Sequence, residues 1–276
     1  MLLTVALGLT AAACWGVPDV WLAQATRSVG PFTVVFGSIV LGVAAVAPAA
    51  AFVDPPAWSL PTAALAIFVG LLVVVAYQLG FVAFRTGSVS IVTPIIACEG
   101  AVAAVIAVAA GEDVRRSVLA LLPVAVLGVV LAGRGEGGGR SGALPAAVSA
   151  SIWGVILVLS AVVADDLGVY WTFLLVRTSA VAWMLPLAFR TGAVTRWSAE
   201  PWRVSAWAFG DSAAYLAFVA AADRGPVAVA SVLAAQFATV AVLVATVFFG
   251  ERPHPRQLVG VALVIATVSA IAALGS

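Results

Sequence analysis

Trp207–Ala208–Phe209–Gly210–Asp211–Ser212–Ala213–Ala214–Tyr215 lies in the middle of an apolar run over 204–222. Such a run is long enough to cross a bilayer at roughly 1.5 Å per residue. A carboxylate inside it costs roughly 2.5–3.5 kcal/mol on insertion scales, so it needs a partner or a purpose. On a helix, Trp207, Asp211 and Tyr215 recur every four residues and share one face. An acid between two aromatic rings is one way to hold an organic cation. The plainer alternative is that Asp211 pairs with an internal arginine while the rings pack between helices.

The rest of the chain is of the same kind. Of its 276 residues, 64% are hydrophobic and 9% charged, with mean hydropathy +1.18, against about 25% charged in soluble domains. The apolar runs are continuous and lack the two-residue alternation of outer-membrane strands, so the expected class is an all-α integral membrane protein in a cell membrane. The net charge of +1 gives no footing for nucleic acid. Cys14 and Cys98 fall inside apolar runs and read as small packing residues. His254 is the only histidine, too little for a metal cluster or a catalytic triad, and no cofactor is expected. Ala11–Ala12–Ala13–Cys14 faintly resembles a leader-cleavage site, but no basic residue precedes it and the apolar run continues beyond, which reads as a first membrane helix.

Apolar length gives about ten spans, near 3–25, 32–52, 61–84, 89–110, 118–133, 143–164, 170–189, 204–222, 227–249 and 257–273. Pro18, Pro94, Pro123 and Pro186 fall within or near them as candidate helix breaks or, equally, tolerated kinks. Residues 134–142, Arg-Gly-Glu-Gly-Gly-Gly-Arg-Ser-Gly, have the composition of a flexible linker. That segment lacks the Gly-Lys-Ser/Thr ending of a phosphate loop. It divides the chain into 1–133 and 143–276, and the two halves resemble each other. Trp15–Gly16–Val17 recurs 138 residues later as Trp153–Gly154–Val155. Ala76–Tyr77 and Ala214–Tyr215, Gly30 and Gly168, and Gly87 and Gly225 keep the same offset. Gly111–Glu112 matches Gly250–Glu251 with one extra residue. Five helices per half is an odd number, so the second half enters the membrane in the opposite sense, and a site is expected near the midplane between the repeats.

The loops on one side carry nine arginines (27, 85, 134, 140, 190, 196, 203, 252 and 256), against Arg115, Arg116 and Arg224 on the side of the termini. The positive-inside rule then places both termini outside the cytoplasm. Within the spans stand Asp19, Glu99, Arg177 and Asp211, three acids and one base. Two acids lack a fixed cationic partner even if Arg177 takes one. A proton and a cationic substrate competing for Glu99 and Asp211 is therefore the expected chemistry. Trp15, Trp153, Trp207, Tyr77 and Tyr215 lie away from the span ends, where an interfacial role is less natural than at Trp58, Trp197 and Trp202. Gln78 and Gln236 are further polar candidates.

These residues together resemble the drug/metabolite transporter superfamily in its ten-helix EamA-type branch. The resemblance covers the whole chain. It rests on the duplicated Trp–Gly, on Arg177 in the second helix of the second half, and on Gly–Glu after each fourth helix. The last element is clearest as Gly250–Glu251–Arg252–Pro253, followed by Gln257 and Gly260. The resemblance implies two inverted five-helix repeats around a central cavity, and alternating-access transport of small molecules such as amino acids, amines or choline. Two features depart from it. No arginine stands opposite Arg177 in the first half, where Phe36–Ser38 lies, and family members of this size usually keep their termini in the cytoplasm.

The leading expectation is a secondary transporter for a small organic cation or amphipathic amine, proton-coupled through Glu99 and Asp211. Its site would be lined by Trp15, Asp19, Tyr77, Glu99, Trp153, Arg177, Trp207, Asp211, Tyr215 and Gln236. One alternative is an exporter of an amino acid or other zwitterion, with Arg177 on the carboxylate. Another is a non-transporting membrane protein, a lipid scramblase or a scaffold. No catalytic constellation is visible that would make it an enzyme.

Overall fold

In hydrocarbon a backbone must satisfy its own hydrogen bonds, so each apolar run has little choice but to become helix. The computed structural model describes residues 1–57, 59–86, 92, 95–133, 142–249 and 255–275, and among these it is all-helical. The α-helices in chain order are α1 (Leu2–Val29), α2 (Pro31–Val46), α3 (Leu60–Thr86), α4 (Glu99–Ala109), α5 (Arg116–Gly133), α6 (Ala143–Thr191), α7 (Ala193–Arg196), α8 (Pro201–Ala222), α9 (Val227–Ala234), α10 (Phe237–Phe249) and α11 (Pro255–Gly275). Four stretches, 31–51, 60–83, 143–191 and 201–222, are long and apolar enough to cross a membrane; the other helices contribute shorter apolar segments. The 49-residue α6 contains two arms, because Gly168 at φ 72°, ψ 165° interrupts its helical backbone. With α9 and α10 as one discontinuous span and the four-residue α7 set aside, the described residues make ten helical segments in two repeats.

The repeats interlock. α1 packs on α8 and on α9–α10 of the second half, and in mirror fashion α6 packs on α3 and α4 of the first. The α2–α6, α4–α9 and α5–α11 pairs join equivalent helices of the two halves. Small residues make these approaches. A Cβ on Gly16 would lie 2.5 Å from the Phe237 carbonyl oxygen and 2.7 Å from Val240 Cβ; one on Gly154 would lie 2.6 Å from Val102 Cβ. Val102 and Val240 are again 138 apart. The duplicated Trp–Gly is thus the point where the first helix of each half meets the fourth span of the other.

That fourth span is broken in both halves at the same register. Ala97–Cys98 and Ala235–Gln236 form turns, with Cys98 N donating to Ile95 O and Gln236 N to Leu233 O, each at 3.1 Å. Of the two readings of the prolines, tolerance within a helix holds at three: α1 runs through Pro18, α5 through Pro123 and α6 through Pro186, where neighbouring helices can cover the carbonyl each proline frees. Gly30 and Gly168, also 138 apart, are alike in conformation. Gly30 at φ 86°, ψ 150° is the single residue between α1 and α2, a backbone region open to glycine alone. Trp58, Gly87, Pro94, residues 134–141 and Gly250–His254 lie outside the described residues, as do the side chains of Asp19, Arg27, Arg85 and Gln257.

Candidate functional site

Gly210 lets α1 and α8 touch. A Cβ there would sit 2.5 Å from Pro18 Cγ and 2.6 Å from the Cys14 carbonyl oxygen, the acceptor whose helical partner Pro18 removes. This close crossing brings the next residue, Asp211, within reach of α1. Asp211 Oδ1 accepts from Trp15 Nε1 at 2.9 Å and from the Tyr77 hydroxyl at 2.8 Å. Its Oδ2 lies 3.0 Å from Arg177 Nη1, with the acid 3% and the arginine 1% exposed. Two helices of the first half and one of the second therefore converge on one carboxylate of α8. Breaking such a buried pair from one side leaves an uncompensated charge.

The rings close around it. Tyr77 meets Trp153 edge-on at 4.8 Å and Trp207 at 5.5 Å between centroids. Tyr215 shares a 2.8 Å hydrogen bond with Ser160. The Arg177 guanidinium carbon lies 4.8 Å from the centre of the Tyr215 ring and 5.9 Å from that of Phe173. The cation over Tyr215 of α8 and Phe173 of α6 is thus the protein's own arginine. Arg177 Nε and Nη2 have no hydrogen-bond acceptor among the described residues. A guanidinium carries five donors in a planar fork suited to carboxylates, so this one has capacity left over beside an acid whose oxygens are already engaged.

Of the residues expected from the sequence, Trp15, Tyr77, Trp153, Arg177, Trp207, Asp211 and Tyr215 meet in this buried cluster. Glu99 and Gln236 stand instead at the two helix breaks. Glu99, 6% exposed, opens α4, and Gln236, 2% exposed, sits in the turn between α9 and α10. The breaks adjoin each other: a Cβ on Gly100 would meet the Ser231 carbonyl oxygen at 2.5 Å and Ala235 Cβ at 2.6 Å. They also adjoin the cluster, since Trp15 packs against the group formed by Ala97, Phe237, Ala238 and Val264. Asp19 lies one helical turn beyond Trp15 on α1.

Three contributors were not singled out from the sequence. Ser160 anchors Tyr215, and Thr239 follows Gln236 by one turn on α10. Glu112, noted only as a repeat marker, accepts hydrogen bonds from the backbone amides of Val227 and Ala228. It thereby caps α9 from the other repeat, where a carboxylate complements the helix N-terminus. Two open grooves of about 410 and 480 Å³, around Phe68 and Ile152 and around Ile67 and Trp183, contain none of the candidate residues.

The EamA-like transporter family model matches residues 2–134 and again 140–273. The fold is similar to that of a solved crystal structure at a TM-score of 0.73, with 21% identity over 98% of this chain and 96% of the other. No curated protein matches the sequence.

Proposed function

The chain belongs to the EamA-like transporter family, and on that premise we propose that it is a secondary active transporter of a small zwitterionic metabolite, an amino acid or a close relative. The observation that carries this reading is Arg177, 1% exposed, with two guanidinium nitrogens that lack acceptors among the described residues. A buried donor without an acceptor is costly, by roughly 1–3 kcal/mol or more for a charged group. A substrate carboxylate would meet that need in the geometry arginine favours. The Arg177–Asp211 pair takes Asp211 out of the acids that motivated an organic cation. Asp211, with Trp15, Tyr77 and Arg177 on its oxygens, is poorly placed to receive an amine as well. The proton-carrying role expected of Glu99 and Asp211 falls in this reading to Glu99.

Residues 1–133 and 143–276 act as the two moving units. Rocking one against the other breaks the hydrogen bonds from Trp15 and Tyr77 to Asp211 and exposes Arg177 to each side in turn. The face with nine arginines is assigned to the cytoplasm. Uptake into liposomes containing the purified protein tests the reading. Labelled amino acids should be transported by wild type and at least tenfold more slowly by Arg177→Gln, with melting curves confirming that the variant is folded. Transport of a quaternary amine at equal rates by both proteins, without uptake of any zwitterion, overturns it.

A further inference from the structure

We propose that the break in the ninth span holds a second polar site, for a monovalent cationic group, formed by Gln236 Oε1 and Thr239 Oγ1 at the C-terminal end of α9. Both residues are buried, Gln236 at 2% and Thr239 at 3% exposure, and neither oxygen has a hydrogen-bond partner among the described residues. They lie three positions apart at the start of α10 and so share a helix face. The amide orientation of Gln236 follows from its surroundings. The turn redirects its backbone N–H to Leu233 O, and its side-chain Nε2 takes over the Val232 carbonyl at 2.8 Å. With the nitrogen committed to a carbonyl, the oxygen is left as an acceptor by elimination.

Thr239 is unusual in the same direction. Thr10, Thr172 and Thr267 return their hydroxyls to the carbonyl one turn back, the ordinary way a helical threonine is satisfied. Thr239 makes no such bond. Its hydroxyl oxygen and the Gln236 amide oxygen make a hard, uncharged donor pair, suited to a sodium ion or to a primary ammonium. The site lies at the break between α9 and α10, and discontinuous spans place such broken ends at ion sites. Glu99 belongs to the matching break, whose Gly100 crosses α9 at Ser231 and Ala235, and gives the region a carboxylate. Trp15 packs against the cluster of Ala97, Phe237, Ala238 and Val264 and donates to Asp211, and so links this region to the Arg177 pair. A zwitterion with its carboxylate on Arg177 would direct its ammonium toward Gln236.

A sodium ion and a substrate ammonium share this chemistry, and two measurements on the purified full-length protein separate them. The first is thermal melting without substrate in sodium chloride or potassium chloride at equal ionic strength. The second is binding of a transported amino acid against its 2-hydroxy-acid analogue, which keeps the carboxylate and lacks the amine. The ammonium arm rests on the zwitterion reading above; the sodium arm does not. The variants are Gln236→Leu and the near-isosteric Thr239→Val. Thr4→Val is the control, because Thr4 Oγ1 is equally buried without a partner among the described residues but lies beside Gly225, at the end of α1. We expect either a sodium-dependent rise in melting temperature, or at least tenfold preference for the amino acid over its analogue. Whichever effect appears should weaken at least tenfold in apparent affinity in Thr239→Val and persist in Thr4→Val. Should Gln236→Leu fail to fold, Thr239→Val carries the comparison alone. Sodium and amine responses equal to wild type in Thr239→Val, or absent from wild type, overturn the site and leave its two oxygens to water. A sodium response that depends on Thr239, with no zwitterion transported, keeps the site and overturns the reading of Arg177.

Discussion

Arg177 lies over the Tyr215 and Phe173 rings and pairs with Asp211, and this makes the pair a test of what a buried charge contributes. Arg177→Gln or Asp211→Asn alone strands the other charge at the centre and should destabilise the protein by about 3–5 kcal/mol. Arg177→Met with Asp211→Leu removes both charges together and should recover most of that loss while leaving transport dead. Unfolding in mixed micelles, read by tryptophan fluorescence or circular dichroism, checks the order. A double variant no more stable than the singles would show that the pair is worth more than its desolvation. The residues of this cluster were legible in the sequence because ionisable groups in apolar runs are costly, and because Trp15, Trp153, Tyr77 and Tyr215 recur at one offset. Thr239 and Ser160 were not. Serine and threonine are ordinary in membrane helices, where most bond to their own backbone, so only the three-dimensional surroundings set these two apart.

The helices meet where side chains are missing. Gly16 against Phe237 and Val240, Gly154 against Val102 and Ala103, and Gly210 against Pro18 and Cys14 are approaches closer than a Cβ permits. Gly16→Leu should therefore push α1 off α10, lowering stability by about 1–3 kcal/mol and loosening the Trp15–Asp211 hydrogen bond. Val17→Leu, one residue on and more exposed, should leave both unchanged. Thermal denaturation of the two variants side by side decides the matter. The sequence marked Gly16 and Gly154 as a repeat without saying what they touch, because a glycine has no side chain from which a neighbour can be inferred. The helix breaks were harder still. Ala97–Cys98 and Ala235–Gln236 contain neither proline nor glycine, and the turns are visible only as amides bonded three residues back instead of four.

Across the whole molecule, each half completes the other: α1 is packed by the second repeat and α6 by the first. Movement between the repeats must therefore slide α1 past α9 on the face that carries the N-terminus. Thr4 and Gly225 touch there, with Thr4 Cβ 3.2 Å from where a Cβ on Gly225 would lie. Thr4→Cys with Gly225→Cys, in a background lacking Cys14 and Cys98, should close a disulfide. Uptake should stop on oxidation and return on reduction, and uptake that continues in the cross-linked protein would place the motion elsewhere. Ten segments and their internal repeat were readable from apolar length and a constant offset, whereas the exchange of partners between halves was not, since hydrophobic pattern says which faces are buried and not against what.

Gly30 and Gly168 leave no slack between the helices they join: one residue separates α1 from α2, and one separates the arms of α6. In mechanical terms these are two pairs of compasses, and because one odd-numbered repeat follows the other they are mounted with their pivots on opposite faces. Each pair can spread only at its free points, so each face of the protein has one set of legs that parts and one joint that stays shut.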